Sequence, residues 1–482
     1  MNIKKAKEEI RDTVRAYLQK DENGNYRIPA MRQRPLLLMG PPGVGKTQII
    51  EQVARECGVG LVAYTITHHT RQSAVGLPFI LKKTYGGREY SVTEYTMSEI
   101  IASVYDRMEH SGLKEGILFI DEINCVSETL VPTMLQFLQN KTFGNQKVPE
   151  GWIIVAAGNP PEYNRSAHEF DIVTLDRVRR IDVEPDLAVW KEYAYRQAIH
   201  GAIIAYLQIR PENFFRIETT PDGIRFATAR GWEDLSEMME VCETLGLPVD
   251  RELVVQYIQN EAVAKDFANY YELYNKYRAD YRVDEILAGR FSEQAVDKLK
   301  HAQFDERLSV IGLLLSRLNG KFRQAYRNDL FTEKLFGMLK DWKARLRRKE
   351  DGRVGEEEET ATRHCLRALE QYAEALRLAG RPDAQAAFAQ IKREFEKETG
   401  ERSSFLAGVS AALGHAFDFM AVAFGESQEM VVFVTELTVN FYSAKFIEEN
   451  GSEQYYTFNH DLMLSQRRQK TLKDLDALES GL

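Results

Sequence analysis

Short apolar runs at residues 36–39, 117–120 and 152–157, with a further extended segment at 61–66, read as strands buried in a sheet. Between them the period changes. Residues 48–54 carry no breakers and read as a helix, and 97–108 and 127–140 also read as helices. Two other stretches read as β-hairpins: 79–95, where Tyr85, Tyr90 and Val92 flank a Gly86-Gly87 turn, and 141–148, turning at Gly144-Asn145. Strands alternating with helices predict an α/β fold with a parallel sheet.

From about residue 185 to 289 the pattern is helical, interrupted at 210–231, and beyond 290 it remains helical. Phe304, Leu308, Ile311, Leu315 and Leu318 recur at spacings of 4, 3, 4 and 3, one face of an amphipathic helix. Cys365, Leu369, Tyr372 and Leu376 repeat the pattern before Gly380-Arg381-Pro382 stops it. Between these helices, residues 345–360 run from a basic cluster into consecutive glutamates and read as a solvated linker. Residues 405–424 are apolar and long enough to span a membrane, but Gly408, Gly414, His415 and Asp418 within them favour a buried core helix. The tyrosines at 270, 271, 274, 277 and 281 lack interleaved basic residues, so they read as packing groups rather than an RNA-stacking surface.

The chemistry is concentrated at Gly40-Pro41-Pro42-Gly43-Val44-Gly45-Lys46-Thr47, placed between the first strand and the following helix. Glycines there let backbone N–H groups turn toward a polyphosphate, aided by the positive end of the helix. Lys46 is the candidate for the terminal phosphates and Thr47 for magnesium. The run 117–120 ends in Asp121 and Glu122, carboxylates delivered at the carboxyl edge of a strand: Asp121 is the magnesium candidate, Glu122 the residue that polarises water. Asn159, at the end of run 152–157, is placed to sense a γ-phosphate.

Composition adds bounds. A chain of 482 residues accommodates two or three domains, and a net charge of −9 argues against a protein that mainly coats nucleic acid. Cys57, Cys125, Cys242 and Cys365 are widely spaced, suggesting neither a disulfide framework nor a zinc knuckle, and residues 1–20 lack the apolar centre of a signal peptide; a cytoplasmic setting without membrane attachment is expected. The adjacent His68 and His69 are not expected to hold a metal, because neighbours on an extended segment point to opposite faces.

The loop 40–47, the string Asp121-Glu122-Ile123-Asn124, Asn159 and Leu175-Asp176-Arg177, together with the two hairpins, resemble the AAA+ ATPases, specifically the MoxR-like branch of the helix-2-insert clade. Cys125 stands where many members have arginine. The resemblance covers about residues 30–290 and implies an AAA+ P-loop core over residues 1–185, an α-helical lid over 186–290, and an additional helical region at 291–482. It implies ATP and Mg2+ as cofactors, Arg177 as an arginine finger with Arg179 and Arg180 as alternatives, and Arg230 of Thr228-Ala229-Arg230 as a second sensor. It also implies a hexameric ring that remodels or activates a protein partner, typically one with a von Willebrand factor A domain. A nucleic-acid motor, a restriction-type GTPase and a signalling scaffold share the same engine, and nothing in these motifs reads the base of the nucleotide.

Overall fold

The computed structural model describes residues 1–68, 74–127, 130–143, 146–164, 166–221, 223–340, 356–378 and 384–460. His69, the turn Gly144-Asn145 and most of the expected linker, residues 345–355, lie outside the described residues. Contacts divide the chain into two compact units, residues 1–189 with 228–231, and residues 190–227 with 232–482.

The first unit is built on a five-stranded parallel sheet of β1 (Leu36–Met39), β2 (Gly60–Thr65), β5 (Gly116–Asp121), β8 (Trp152–Gly158) and β9 (Arg179–Asp182), in the order β2-β5-β8-β1-β9. Alternation along the strands sends apolar side chains to both faces. Leu36, Leu38, Ile117, Phe119, Ile153 and Val155 pack against α1 (Ile3–Tyr17) and α2 (Lys46–Cys57) through Ile10, Val14, Ile50 and Val53. Leu37, Leu118, Ile120 and Ile154 meet α3 (Glu99–Ser111) and α4 (Val131–Asn140) through Ile100, Val104 and Phe137. A sheet covered on both faces explains why these strands are apolar runs rather than alternating ones. Two ribbons stand apart from it: β3 (Pro78–Tyr85) with β4 (Arg88–Tyr95), and the short β6 (Thr142–Phe143) with β7 (Gln146–Lys147).

Residues 175–180, whose cluster of three arginines reads from sequence as the end of a helix, divide instead between a helix and a strand. The helix α5 is a single turn, Ile172–Leu175, and Arg179 and Arg180 belong to β9, pairing with Leu36 and Leu37. An edge strand accepts arginines because its side chains reach solvent. Likewise, the interruption expected at 210–231 contains an antiparallel ribbon, β10 (Arg216–Thr220) with β11 (Gly223–Ala227).

The second unit is mostly helical, and its core is aromatic where the tyrosines cluster. Trp232, Tyr206 and Phe267 are fully buried against one another, with Tyr271, Tyr274 and Tyr281 also buried. The boundary expected at residue 290 falls inside this unit. Helix Phe304–Lys340 crosses helix Gly201–Ile209 so closely that a Cβ on Gly312 would lie 2.5 Å from the Ala205 Cβ, and one on Gly201 would lie 2.4 Å from the Ser316 hydroxyl. Small residues one turn apart on both helices permit that approach. The Lys191 ammonium is paired with Glu436, whose carboxylate also accepts from the Tyr195 hydroxyl; side-chain exposures of 6% and 7% mean that this is a buried ion pair. Burial and the neighbouring carboxylate push the Tyr195 phenol well above its ordinary range.

The apolar residues 405–424 lie in helix Ala384–Phe424, which is long and apolar enough to cross a membrane by length and composition. Its polar groups have partners in the chain. The His415 ring nitrogen Nδ1 lies 3.1 Å from the Leu287 carbonyl, and Asp418 accepts from the Gln454 amide at 2.7 Å. Phe417, Phe419 and Met420 are fully buried, with Phe417 against Phe433.

Because Glu436 is the carboxylate that pairs with Lys191 among the described residues, Glu436→Ala should destabilise the second unit by about 3–5 kcal/mol, the cost of stranding a buried charge. Chemical denaturation followed by far-UV circular dichroism checks this, and an unchanged midpoint would refute the pairing.

Candidate active site

The carboxyl ends of β1, β5 and β8 lie side by side, so the turns that follow them converge. After β1 the chain enters the loop 40–47 with Gly43 and Gly45 at φ of +78° and +90°, where a side chain would be strained. Gly40 is required for a different reason: a Cβ there would lie 2.5 Å from the Val183 carbonyl oxygen. The loop then passes into α2, whose first residue is Lys46.

Lys46 is 8% exposed, and its ammonium donates to the carbonyls of Gly40 and Pro41 at 2.8 and 2.9 Å and to Asn159 Oδ1 at 2.9 Å. Burial lowers its pKa from 10.5 to about 8; Asp121 opposes that shift and Arg230 adds to it. Asn159 is thereby tied to the lysine expected to meet the phosphates. The Thr47 hydroxyl donates to Asp121 Oδ2 at 2.9 Å, bringing together two hard oxygen donors beside the loop. One carboxylate and one hydroxyl suit magnesium, which keeps several waters and takes its remaining ligands from phosphate. Among the described residues no group of three His, Cys, Asp or Glu side chains could hold a metal by itself.

Glu122 follows with φ of +56°, a left-handed conformation that is uncommon for a side chain of its size. Its N–H donates to Asp121 Oδ1 at 2.9 Å, and its carboxylate accepts from the Thr67 hydroxyl at 3.2 Å. Asn124 supports the next turn: its buried amide donates to the carbonyls of Asn159 and His168 at 2.7 and 3.3 Å, joining the ends of β5 and β8. Sequence reasoning assigned no role to Thr67 or Asn124. Asn124 was visible within the Asp121–Asn124 string, whereas Thr67 carries no local signal.

The arginines separate. Arg230 is exposed and lies beside the loop, with its Cβ 3.5 Å from where a Cβ on Gly43 would be. Arg177 is exposed and donates to Gln139, away from the loop. Arg179 donates to Thr13 and Glu9 of α1 at 2.6 and 2.8 Å, and Arg180 pairs with Asp182 at 2.8 Å on its own strand. Cys125 is half-buried and its thiol is raised by burial and by Glu122 and Asp121. The Asn164 amide donates to its sulfur at 3.1 Å.

A buried lysine that must be charged to hold phosphate makes binding pH-dependent. Nucleotide affinity should be flat below about pH 8 and weaken by up to about tenfold per pH unit above it, as Lys46 loses its proton. Stability responds oppositely: between about 8 and 10.5 the unfolded lysine holds the proton and the folded one does not, so this contribution rises with pH. Equilibrium titration with a non-hydrolysable nucleotide at pH 7 and 9.5 tests the first statement, and a pH-independent affinity would contradict it.

A family match accords with this geometry. Residues 35–178 match the family described as AAA domain (dynein-related subfamily). The human ATPase family gene 2 protein homolog A is 32% identical over 177 residues, which is 34% of this chain, and the chain spans only 16% of that relative's length. A mutant of RuvB from Thermotoga maritima aligns at 12% identity over 47% of this chain and 62% of its own, with a TM-score of 0.26. Residues 35–178, which hold four of the five strands of the parallel sheet and the phosphate loop, are thus similar to an AAA domain.

Proposed function

We propose that the protein hydrolyses ATP and uses the energy, as a ring of identical subunits, to remodel or activate a protein partner. The observation that carries the hydrolytic part is the convergence of Lys46, Thr47, Asp121, Glu122 and Asn159 at one edge of the sheet. Lys46 releases a loop carbonyl to bond a phosphate oxygen, and Thr47 and Asp121 hold the magnesium side. Magnesium, when bound, neutralises phosphate charge as a Lewis acid. Glu122 accepts a proton from the attacking water, and Asn159 orients the terminal phosphate. Glu122→Gln should leave nucleotide binding intact while turnover falls about a hundredfold or more. Wild-type turnover in the pure variant would remove Glu122 from this role.

The ring is supported by the arginines. Arg179 and Arg180 pair with carboxylates of the unit, whereas Arg177 donates to the neutral Gln139 amide, next to Ile172 and Val173, which are 82% and 51% exposed. A neighbouring subunit covering that apolar turn would receive Arg177 at its own phosphate. Mixing Arg177→Ala with Glu122→Gln subunits should restore part of the turnover at interfaces that combine an intact finger with an intact site. Mixed rings without any recovery would argue for a finger elsewhere.

For the partner we favour a protein, as in MoxR-like relatives that act on von Willebrand factor A domains, over nucleic acid. One face of the β3–β4 ribbon exposes Phe79, Leu81, Tyr85 and Tyr90 at 39%, 39%, 56% and 49%. Singly scattered apolar groups are ordinary, but a row of them on one ribbon marks a contact surface. Leu81→Ser with Tyr85→Ser should abolish stimulation by a co-encoded partner while basal turnover stays unchanged. Steep, salt-sensitive stimulation by DNA or RNA instead would favour the motor reading.

A further inference from the structure

The second unit contains a cleft of about 640 Å³ that the nucleotide chemistry does not use. That volume lies within the range of small-molecule sites. Its floor is helix Phe304–Lys340, which presents Arg317, Lys321, Gln324 and Arg327 at spacings of 4, 3 and 3, a polar stripe on a helix whose other face is core. Gly320 lies in that stripe with open space where a Cβ would be, so a ligand can approach the backbone there. Arg278 and Arg323 complete a set of five cations around the cleft.

The carboxylates do not consume them. Glu240, Glu243 and Asp284 line the same space, and Glu357, just outside it, accepts from both Arg323 and Arg327 at 2.8 and 2.5 Å. Two guanidinium groups on one carboxylate leave that corner positive. Arg278 to Glu243 and Arg317 to Asp284 are loose, at 3.6 and 3.5 Å, with arginine side chains 43% and 48% exposed. Glu243 has other company: it accepts from the Tyr271 hydroxyl at 2.8 Å and lies 3.4 Å from the His200 ring. Asp284, with its side chain 72% exposed, is solvated, so a ligand can take Arg278 and Arg317 without stranding either acid. Lys321 has no ion-pair partner among the described residues.

We propose that this cleft binds a phosphorylated small molecule of nucleotide size, its phosphate groups held by Arg317, Lys321 and Arg278. Phosphate suits guanidinium groups, which meet its oxygens in pairs, and Tyr274, Leu313 and Phe405 supply apolar wall for the remainder of the ligand. The site is separate from the phosphate loop and does not depend on hydrolysis there.

Inorganic pyrophosphate serves as the probe, titrated calorimetrically into the full chain carrying Lys46→Ala, so that the phosphate loop does not dominate. Saturable binding is expected. Adding Arg317→Ala with Lys321→Ala should weaken it about tenfold or more, since hydrogen bonds to charged groups are lost. Lys392→Ala with Lys445→Ala removes the same charge elsewhere on this unit and should leave the affinity unchanged. Absence of binding in the Lys46→Ala chain at millimolar pyrophosphate, or equal weakening by both pairs of substitutions, would overturn the proposal.

Discussion

Holding the Lys46 ammonium at 8% exposure costs several kcal/mol unless its hydrogens are bonded, and the structure provides three acceptors for three hydrogens. That requirement shapes the surrounding turns. Two acceptors are carbonyls of the loop itself, so the loop must curl back over its own helix, which the left-handed glycines at 43 and 45 allow. The third is Asn159, so the end of β8 must lie next to the loop, which sets the order of strands at the centre of the sheet. A polyphosphate meeting this lysine replaces acceptors that are already in place, and the charge is not newly buried by binding.

What could be read from the sequence divides along the same physical line. Groups set by local backbone chemistry were legible: glycines of the loop, carboxylates after an apolar run, an amide after another, the ribbon around Gly86-Gly87. Groups set by distant pairing were not. Arg179 and Arg180 look like the end of a helix until β1 is available to pair with them, since four residues of mixed polarity carry no period. Thr67 matters only because β2 and β5 are neighbours, which brings its hydroxyl to Glu122.

In the helical unit, the amphipathic spacing from Phe304 to Leu318 correctly announces a helix but not what covers it. The answer depends on small residues that spacing rules pass over. Gly312 against Ala205 and Gly201 against Ser316 let two helices approach at backbone distance, and the long helix thereby joins the core begun by residues 190–227. The Lys191–Glu436 pair makes the joint specific, because 245 residues separate the two charges and neither tolerates burial alone. Residues beyond 290 are thus part of what holds the preceding helices.

The left-handed backbone at Glu122 bears on chemistry as well as geometry. A strained residue persists only where its surroundings over-determine it. Here the Glu122 N–H is fixed on Asp121 Oδ1, the Ile123 N–H donates to the Ala157 carbonyl at 2.9 Å, and Asn124 bridges to the end of β8. Each hold falls on the backbone or on a neighbour. Among the described residues the carboxylate of Glu122 accepts from a single hydroxyl, Thr67, at 3.2 Å, a long contact on a half-buried side chain. The turn therefore fixes where the carboxylate begins but only lightly where it points. A carboxylate anchored this way can leave Thr67 for a water molecule with little rearrangement, while the backbone hydrogen bonds keep it beside the phosphate loop.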